Sequence, residues 1–278
     1  MSPGDHTRVS RRKLRSVILD VPAMLLTVRN VGRILDLYSV DTPERGPSEV
    51  AAELGMGKSK AHALMASMAE IGLLRRVAGG RYRAGWRALE LERIVRDSSP
   101  FRPVAYAVAE TLARHCGETV HVAALDAGQV IYVDRVQGSR AVDIPLSKVG
   151  ATLPAHCSGV GKVLLAYLDA GEVDAILDRR GLPAFTPNTI TDRDALYAEL
   201  HRVRRDGVAY DREEIVEGLR CVAAPILDVD GSVCAAMSIA APAERFAASE
   251  TAYRSAVVRS ARAVTERLRR QMEPENPE

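Results

Sequence analysis

The sequence predicts an α+β protein in two parts, and three observations carry that prediction. Two short amphipathic helices flank Gly55-Met56-Gly57 near the front and run into an arginine-rich hairpin. Behind residue 100, β-rich runs in hairpin pairs alternate with helical stretches, the pattern of an antiparallel sheet with helices packed on it. The charge also changes sign along the chain: residues 1–100 hold 17 Lys/Arg against 11 Asp/Glu, and residues 101–278 hold 21 against 25. A basic front joined to an acidic rear points to a polyanion as the front's partner.

Residues 1–23 are polar, contain Pro and Arg and lack periodicity, so they read as a flexible arm. Val31, Ile34, Leu35 and Tyr38 then fall at i, i+3, i+4, i+7, the stripe of an amphipathic helix. The turn-forming stretch Asp41-Thr-Pro-Glu-Arg-Gly-Pro47 ends it. Ser48 is the expected cap of the next helix, with Val50, Ala51 and Leu54 facing inward. A second helix is expected from Lys58 to Ile71, with Ala61, Leu64, Met65 and Met68 on its apolar face and Gly72 closing it. Leu73–Val77 and Arg81–Arg83 flank Ala78-Gly79-Gly80 as a hairpin. Helical patterns follow from Trp86 to Val95 and from Val104 to His115, parted by Ser98-Ser99-Pro100.

In the rear part, Thr119–Leu125 and Val130–Val136 pair across Asp126–Gln129, and Cys221–Leu227 pairs with Ser232–Ala240 across Asp228–Gly231. Gly161–Leu168, Asp194–Arg205 and a long stretch from Ala248 to Met272 read as helices.

Length and composition limit the function classes. A chain of 278 residues suits two domains. It holds no run of 18 apolar residues, which argues against a membrane span, and its basic start does not read as a secretory signal. The four cysteines, Cys116, Cys157, Cys221 and Cys234, stand singly without CxxC spacing, so they are expected reduced in a cytoplasmic protein.

Ala51 and Gly55 sit where a helix-turn-helix needs a small crossing residue and a turn glycine. Lys58, Ser59, Lys60, His62 and Ala63 would then occupy the first two turns of a recognition helix, basic or short enough to meet base edges. Ser59 and Lys60 suit base edges or phosphate, and Ala63 suits a thymine methyl. His62 has two readings, a DNA contact or internal packing. Arg75, Arg76, Arg81 and Arg83 surround the hairpin turn, a wing suited to phosphate or the minor groove.

Ordered segments of the chain resemble the IclR family of bacterial regulators. They are Arg33-Ile-Leu-Asp-Leu37, Ser48-Glu-Val-Ala-Ala-Glu-Leu-Gly-Met-Gly-Lys-Ser-Lys-Ala-His62, Ile71-Gly-Leu-Leu74 and Arg81-Tyr-Arg-Ala-Gly85. In the rear part they are Gly117-Glu-Thr-Val-His121, Val149-Gly150, Gly161-Lys-Val-Leu-Leu-Ala166, Thr186-Pro-Asn-Thr-Ile190, Gly207, and Asp211-Arg-Glu-Glu214 through Gly218-Leu-Arg-Cys-Val-Ala-Ala-Pro225. Lys60 and Ala63 depart from the family's usual Thr and Arg, so the operator sequence is not transferable from relatives. His156-Cys-Ser-Gly-Val-Gly161, a short glycine-containing loop before a helix, also departs from the commoner Ala-Thr-Ala-Leu-Gly.

The resemblance implies a winged helix-turn-helix over 24–88, a linker helix over 89–103 and a GAF-like α/β effector-binding domain over 104–272, with a tail at 273–278. It implies a transcriptional regulator, a repressor by preference and not an enzyme. Its partners would be a double-stranded DNA operator and a small organic acid. The working unit would be a homodimer or homotetramer built through the helix joining the domains, Trp86–His115. By motif, Gly159, Val160, Asp211, Cys221 and Ser238 would form the effector pocket, with a carboxylate seated at the helix N-terminus behind Ser158.

Two rival functions stand against this reading. A metal or thiol sensor would use the pairs His115-Cys116 and His156-Cys157 with His121 nearby, but zinc-ligand spacing is missing, so no metal or cofactor is expected. An enzyme with Cys221 as nucleophile would need a base that no motif supplies.

Overall fold

The computed structural model describes residues 25–142 and 145–272; the expected arm and tail lie outside them. The described chain divides between Ser99 and Pro100 into two compact units.

The front unit has helices α1 (Leu26–Leu35), α2 (Pro47–Leu54) and α3 (Lys58–Glu70), a hairpin of β1 (Leu74–Val77) and β2 (Arg81–Ala84), and α4 (Arg87–Asp97). Ile34, Leu37, Val50, Ala51, Ala61, Met65, Met68, Leu74 and Tyr82 form its core. Ile34, Val50, Ala51, Ala61, Met65 and Met68 are positions the helical period picks out, whereas Leu35 of the expected stripe is exposed and Leu37 is buried. Gly55 closes α2 in the left-handed conformation, φ 65°, where a β-carbon is strained. Ser48 does not cap α2. Gly46 does, Pro47 follows at the first helical position, and the Gly46 N–H donates to Glu49 at 3.2 Å. Arg45 exchanges backbone hydrogen bonds with Tyr82 and gives the wing a third strand residue. Gly85 passes so close to Gly72 that a β-carbon would lie 1.9 Å from its carbonyl oxygen.

The expected linker helix over 89–103 is not one helix. α4 ends at Asp97, and Phe101–Cys116 forms α5, which belongs to the rear unit. Val104, Ala105, Val108, Ala109 and Leu112 fasten α5 into that unit's core.

The rear unit is a six-stranded antiparallel sheet in the order β5-β4-β3-β8-β7-β6. Its strands are β3 (Thr119–Asp126), β4 (Gln129–Gln137), β5 (Thr152–Pro154), β6 (Ala209–Arg212), β7 (Leu219–Leu227) and β8 (Val233–Pro242). The helices are α6 (Gly159–Ala166), α7 (Ala170–Arg180), α8 (Arg193–Asp206) and α9 (Ala243–Met272). Val120, Val122, Val222, Met237 and Ile239 turn one sheet face toward α5 and α9. Ala123, Ala209, Ala223 and Ala236 turn the other toward α6 and α8. Small residues on that face let α6 lie close to the sheet. No sequence expectation covers β5, β6 or α7. The first two are too short for a periodic signal, while α7 carries one in the pair Asp169 and Glu172, whose carboxylate accepts the Asp169 N–H at 3.0 Å.

Candidate DNA-reading face and effector pocket

The N-terminal face of α3 is open. Lys58, Ser59, Lys60, His62 and Ala63 are all exposed, while Ala61, Met65 and Met68 hold the opposite face in the core. His62 therefore does not pack inside the domain. Among the described residues, Lys58 and Lys60 have no ion-pair partner, so their charge stays available to an outside anion.

The four wing arginines divide into two kinds. Arg76 is exposed and lies 5.9 Å above the Tyr82 ring, and Arg75 is half-buried, 5.1 Å above Trp86. Arg81 places a two-pronged hydrogen bond on Glu49, 2.6 and 3.0 Å, and a third bond on the Glu44 carbonyl. Arg83 donates to the Glu44 carboxylate at 2.7 Å. The hydrogen bonds from Arg81 and Gly46 hold the Glu49 carboxyl below its ordinary pKa. Arg81 and Arg83 thus pin the wing to the start of α2, a role the sequence did not reveal.

The rear unit places its polar residues on one half of one sheet face. Asp211 pairs with Cys221, Cys221 with Ala240 and Ala240 with Thr119 across four neighbouring strands. Two residues along the sheet, Ala223 pairs with Ser238 and Ser238 with His121. Directly opposed residues share a face. Asp211, Cys221, Ser238, His121 and Thr119 therefore form one polar patch. Tyr132, Ser158, Ile215 and Leu219 close it into a pocket whose open interior is about 30 Å³, room for a water molecule or two.

Burial sets the charge of this patch. Asp211 is driven up to about pKa 7, mainly by desolvation, although the Glu214 N–H donates to it at 2.7 Å. His121 is driven down to about 3 by desolvation and the nearby Arg135, so its ring is neutral at physiological pH. The ring sits 4.8 Å from that of Tyr132, and its Nε2 is buried without a hydrogen-bond partner. Desolvation raises the thiols of Cys221 and Cys157 well above the ordinary range. Such thiols are protonated and poor nucleophiles or ligands.

Of the five expected pocket residues, Asp211, Cys221 and Ser238 line the cavity. Gly159 backs onto it: a β-carbon there would lie 2.8 Å from the Cys221 sulfur. Val160 points away, into the apolar core of α6. Ser158 caps α6, its hydroxyl accepting the Gly161 N–H at 3.1 Å. The residue missed was His121. Its signal was a histidine alternating with apolar residues in a β run, which reads equally as a packed core position. Behind the pocket, Lys162 is buried and donates to Glu214 at 2.6 Å with Glu199 at 3.3 Å. Burial opposes its charge, yet these carboxylates hold its pKa above the ordinary lysine value.

Among the described residues, no three His, Cys, Asp or Glu side chains gather as a metal site. No described helix is long and apolar enough to cross a membrane.

Known proteins share both units. A helix-turn-helix family model, the IclR helix-turn-helix domain, matches residues 27–78, and the bacterial transcriptional regulator IclR C-terminal model matches residues 95–266. The regulator XynR of Escherichia coli is 32% identical over 230 residues, 82% of this chain and 91% of its own length. The transcriptional repressor IclR of the same organism is 32% identical over 222 residues, covering 78% of this chain and 81% of its own. A solved IclR homologue from Microbacterium hydrocarbonoxydans, complexed with 4-hydroxybenzoate, has a TM-score of 0.76 at 27% identity and covers 88% of this chain and 99% of its own.

Proposed function

The chain belongs to the IclR family of bacterial transcriptional regulators, DNA-binding proteins with an effector-binding domain and not enzymes, and from that premise we propose that it is a cytoplasmic, homodimeric repressor released or tightened on its operator by a small organic acid. Its α3 enters the major groove, with Lys58 and Lys60 at the phosphates and base edges, and Ser59, His62 and Ala63 on the bases. Arg75 and Arg76 contact the backbone, while Arg81 and Arg83 hold the wing in place for them.

The observation that carries the DNA reading is the open, unpaired basic face at the start of α3. The effector reading rests on the buried polar patch of Asp211, Cys221, Ser238 and His121 beside a small cavity. The relative from Microbacterium hydrocarbonoxydans is complexed with an organic acid, 4-hydroxybenzoate.

Dimerisation is supported by α4. Leu91, Ile94 and Val95 are exposed at helical spacing, a stripe that suits a second copy. Two α3 helices would then reach successive grooves about 34 Å apart. Effector control requires only that the ligand prefer one arrangement of the dimer.

The test is binding of the protein to its own promoter region as a function of salt. Replacing Lys58 and Lys60 with Ala is expected to lower affinity and to flatten the salt slope by about 1 to 2. Unchanged affinity and slope would remove α3 from the interface.

A further inference from the structure

The rear unit has a second hollow, apart from the effector cavity. β6 is the outer strand of the sheet. At that edge lies an open groove of about 790 Å³, walled by residues of α8, β6 and α9. It shares no lining residue with the effector cavity. Its size suits a small molecule.

The floor of the groove is acidic. Lys162, Glu199 and Glu214 meet there, one ammonium against two carboxylates. Lys162 is 1% exposed and Glu214 is 4% exposed. The Lys162 ammonium and the Arg212 N–H both donate to Glu214 Oε1, at 2.6 and 3.3 Å. Glu214 Oε2 is buried and has no hydrogen-bond partner among the described residues. Such an oxygen is costly, and a charged donor entering from the groove relieves it.

The rim is basic. Arg202 donates to Glu199 at 2.7 Å, and Arg212 donates to Glu250 at 2.9 Å. Arg254 is exposed on α9 and makes no hydrogen bond or ion pair among the described residues. Asp206, the carboxylate on its side of the groove, is already held by Arg205 at 2.8 Å. Ile190, Val203 and the Tyr210 ring add apolar surface for a carbon skeleton. A plain acid would suit the rim and be repelled by the floor, and a plain amine would meet the reverse. A ligand with both charges satisfies both.

We infer that this groove is a second small-molecule site and that it takes a zwitterionic amino acid, its ammonium on Glu214 Oε2 and its carboxylate on Arg254. The groove and the effector cavity have no residue in common, so neither assignment depends on the other.

Isothermal titration of the full chain with the standard L-amino acids and γ-aminobutyrate tests it. At least one is expected to bind. Its N-acetyl derivative and its amide each lack one charge and should bind about tenfold or more weakly. Arg254→Ala changes an exposed position and should weaken the amino acid by about tenfold or more, with partial recovery in Arg254→Lys. Ser238→Val alters the effector cavity alone and should leave the affinity within about threefold. Absence of binding by every amino acid overturns the inference. So does binding that survives Arg254→Ala, binding that Ser238→Val abolishes, or equal binding of the N-acetyl derivative or the amide.

Discussion

At the scale of single residues, the pocket holds two groups whose titrations oppose each other. His121 has its pKa lowered from 6.5 to about 3. The unfolded chain therefore binds the extra proton first, and stability is lost as pH falls from 6.5 toward 3. Asp211 has its pKa raised from 3.8 to about 7, with Glu214, Glu213 and Lys162 facing it. Here the folded chain holds the proton longer, so the contribution is fully present below 3.8 and is lost as pH rises toward 7. Each group contributes a slope of at most about 1.4 kcal/mol per pH unit, with opposite sign. The wild-type protein should show a flat stability profile from this pair between pH 4 and 6.5. Asp211→Asn keeps the acceptor for the Glu214 N–H and removes one slope. Its denaturant midpoint should rise from pH 4 to 6.5 and, relative to wild type, gain most above pH 7. A variant profile parallel to wild type would show that Asp211 is not buried as an acid.

At the scale of elements, the wing and its fasteners separate positioning from contact. Arg81 places its fork on Glu49 and its third bond on the Glu44 carbonyl, so it has little charge left for DNA. Arg81→Ala should weaken operator binding by less than about tenfold and leave the salt slope unchanged, because no phosphate contact is removed. A flattened slope would make Arg81 a phosphate ligand after all. The same measurement on Arg76→Ala, whose guanidinium is exposed over Tyr82, should flatten the slope by about 1.

Legibility also divides by element. The core face of α3 was readable because Ala61, Leu64, Met65 and Met68 repeat at helical spacing, and the structure places the helix at Lys58–Glu70. The cap of α2 was misread at Ser48. Ser is a common cap, but the rigid Pro47 suits the first position of a helix capped by Gly46. The split of the linker was marked by Ser98-Ser99-Pro100. The ownership of α5 was not, because its apolar face, Val104 to Leu112, has the same period whether it joins domains or packs under a sheet.

At the scale of the whole molecule, α4 has no buried residue and exposes Leu91, Ile94 and Val95. Leu91→Glu with Val95→Glu keeps helix propensity and puts charge on the exposed stripe. If α4 carries the proposed dimer contact, sedimentation should then show a smaller species than the parent, with operator affinity reduced because two half-sites are no longer bound together. A dimer that persists would move the interface off α4.

By itself the sequence determined the two-part plan, the helix-turn-helix with its basic face, the antiparallel hairpins and the family. Periodicity, turn glycines and charge are local quantities, written within a few residues of one another. It also indicated Asp211, Cys221 and Ser238, through motif. Only the tertiary structure decided that these three meet His121 in one cavity, because register across β6, β7, β8 and β3 joins residues more than a hundred positions apart. Only it showed that Arg81 and Arg83 are fasteners, that Val160 belongs to the core, and that burial raises the pKa of Asp211 and lowers that of His121. Pairing and desolvation depend on what surrounds a group, and the surroundings exist only once the chain has folded.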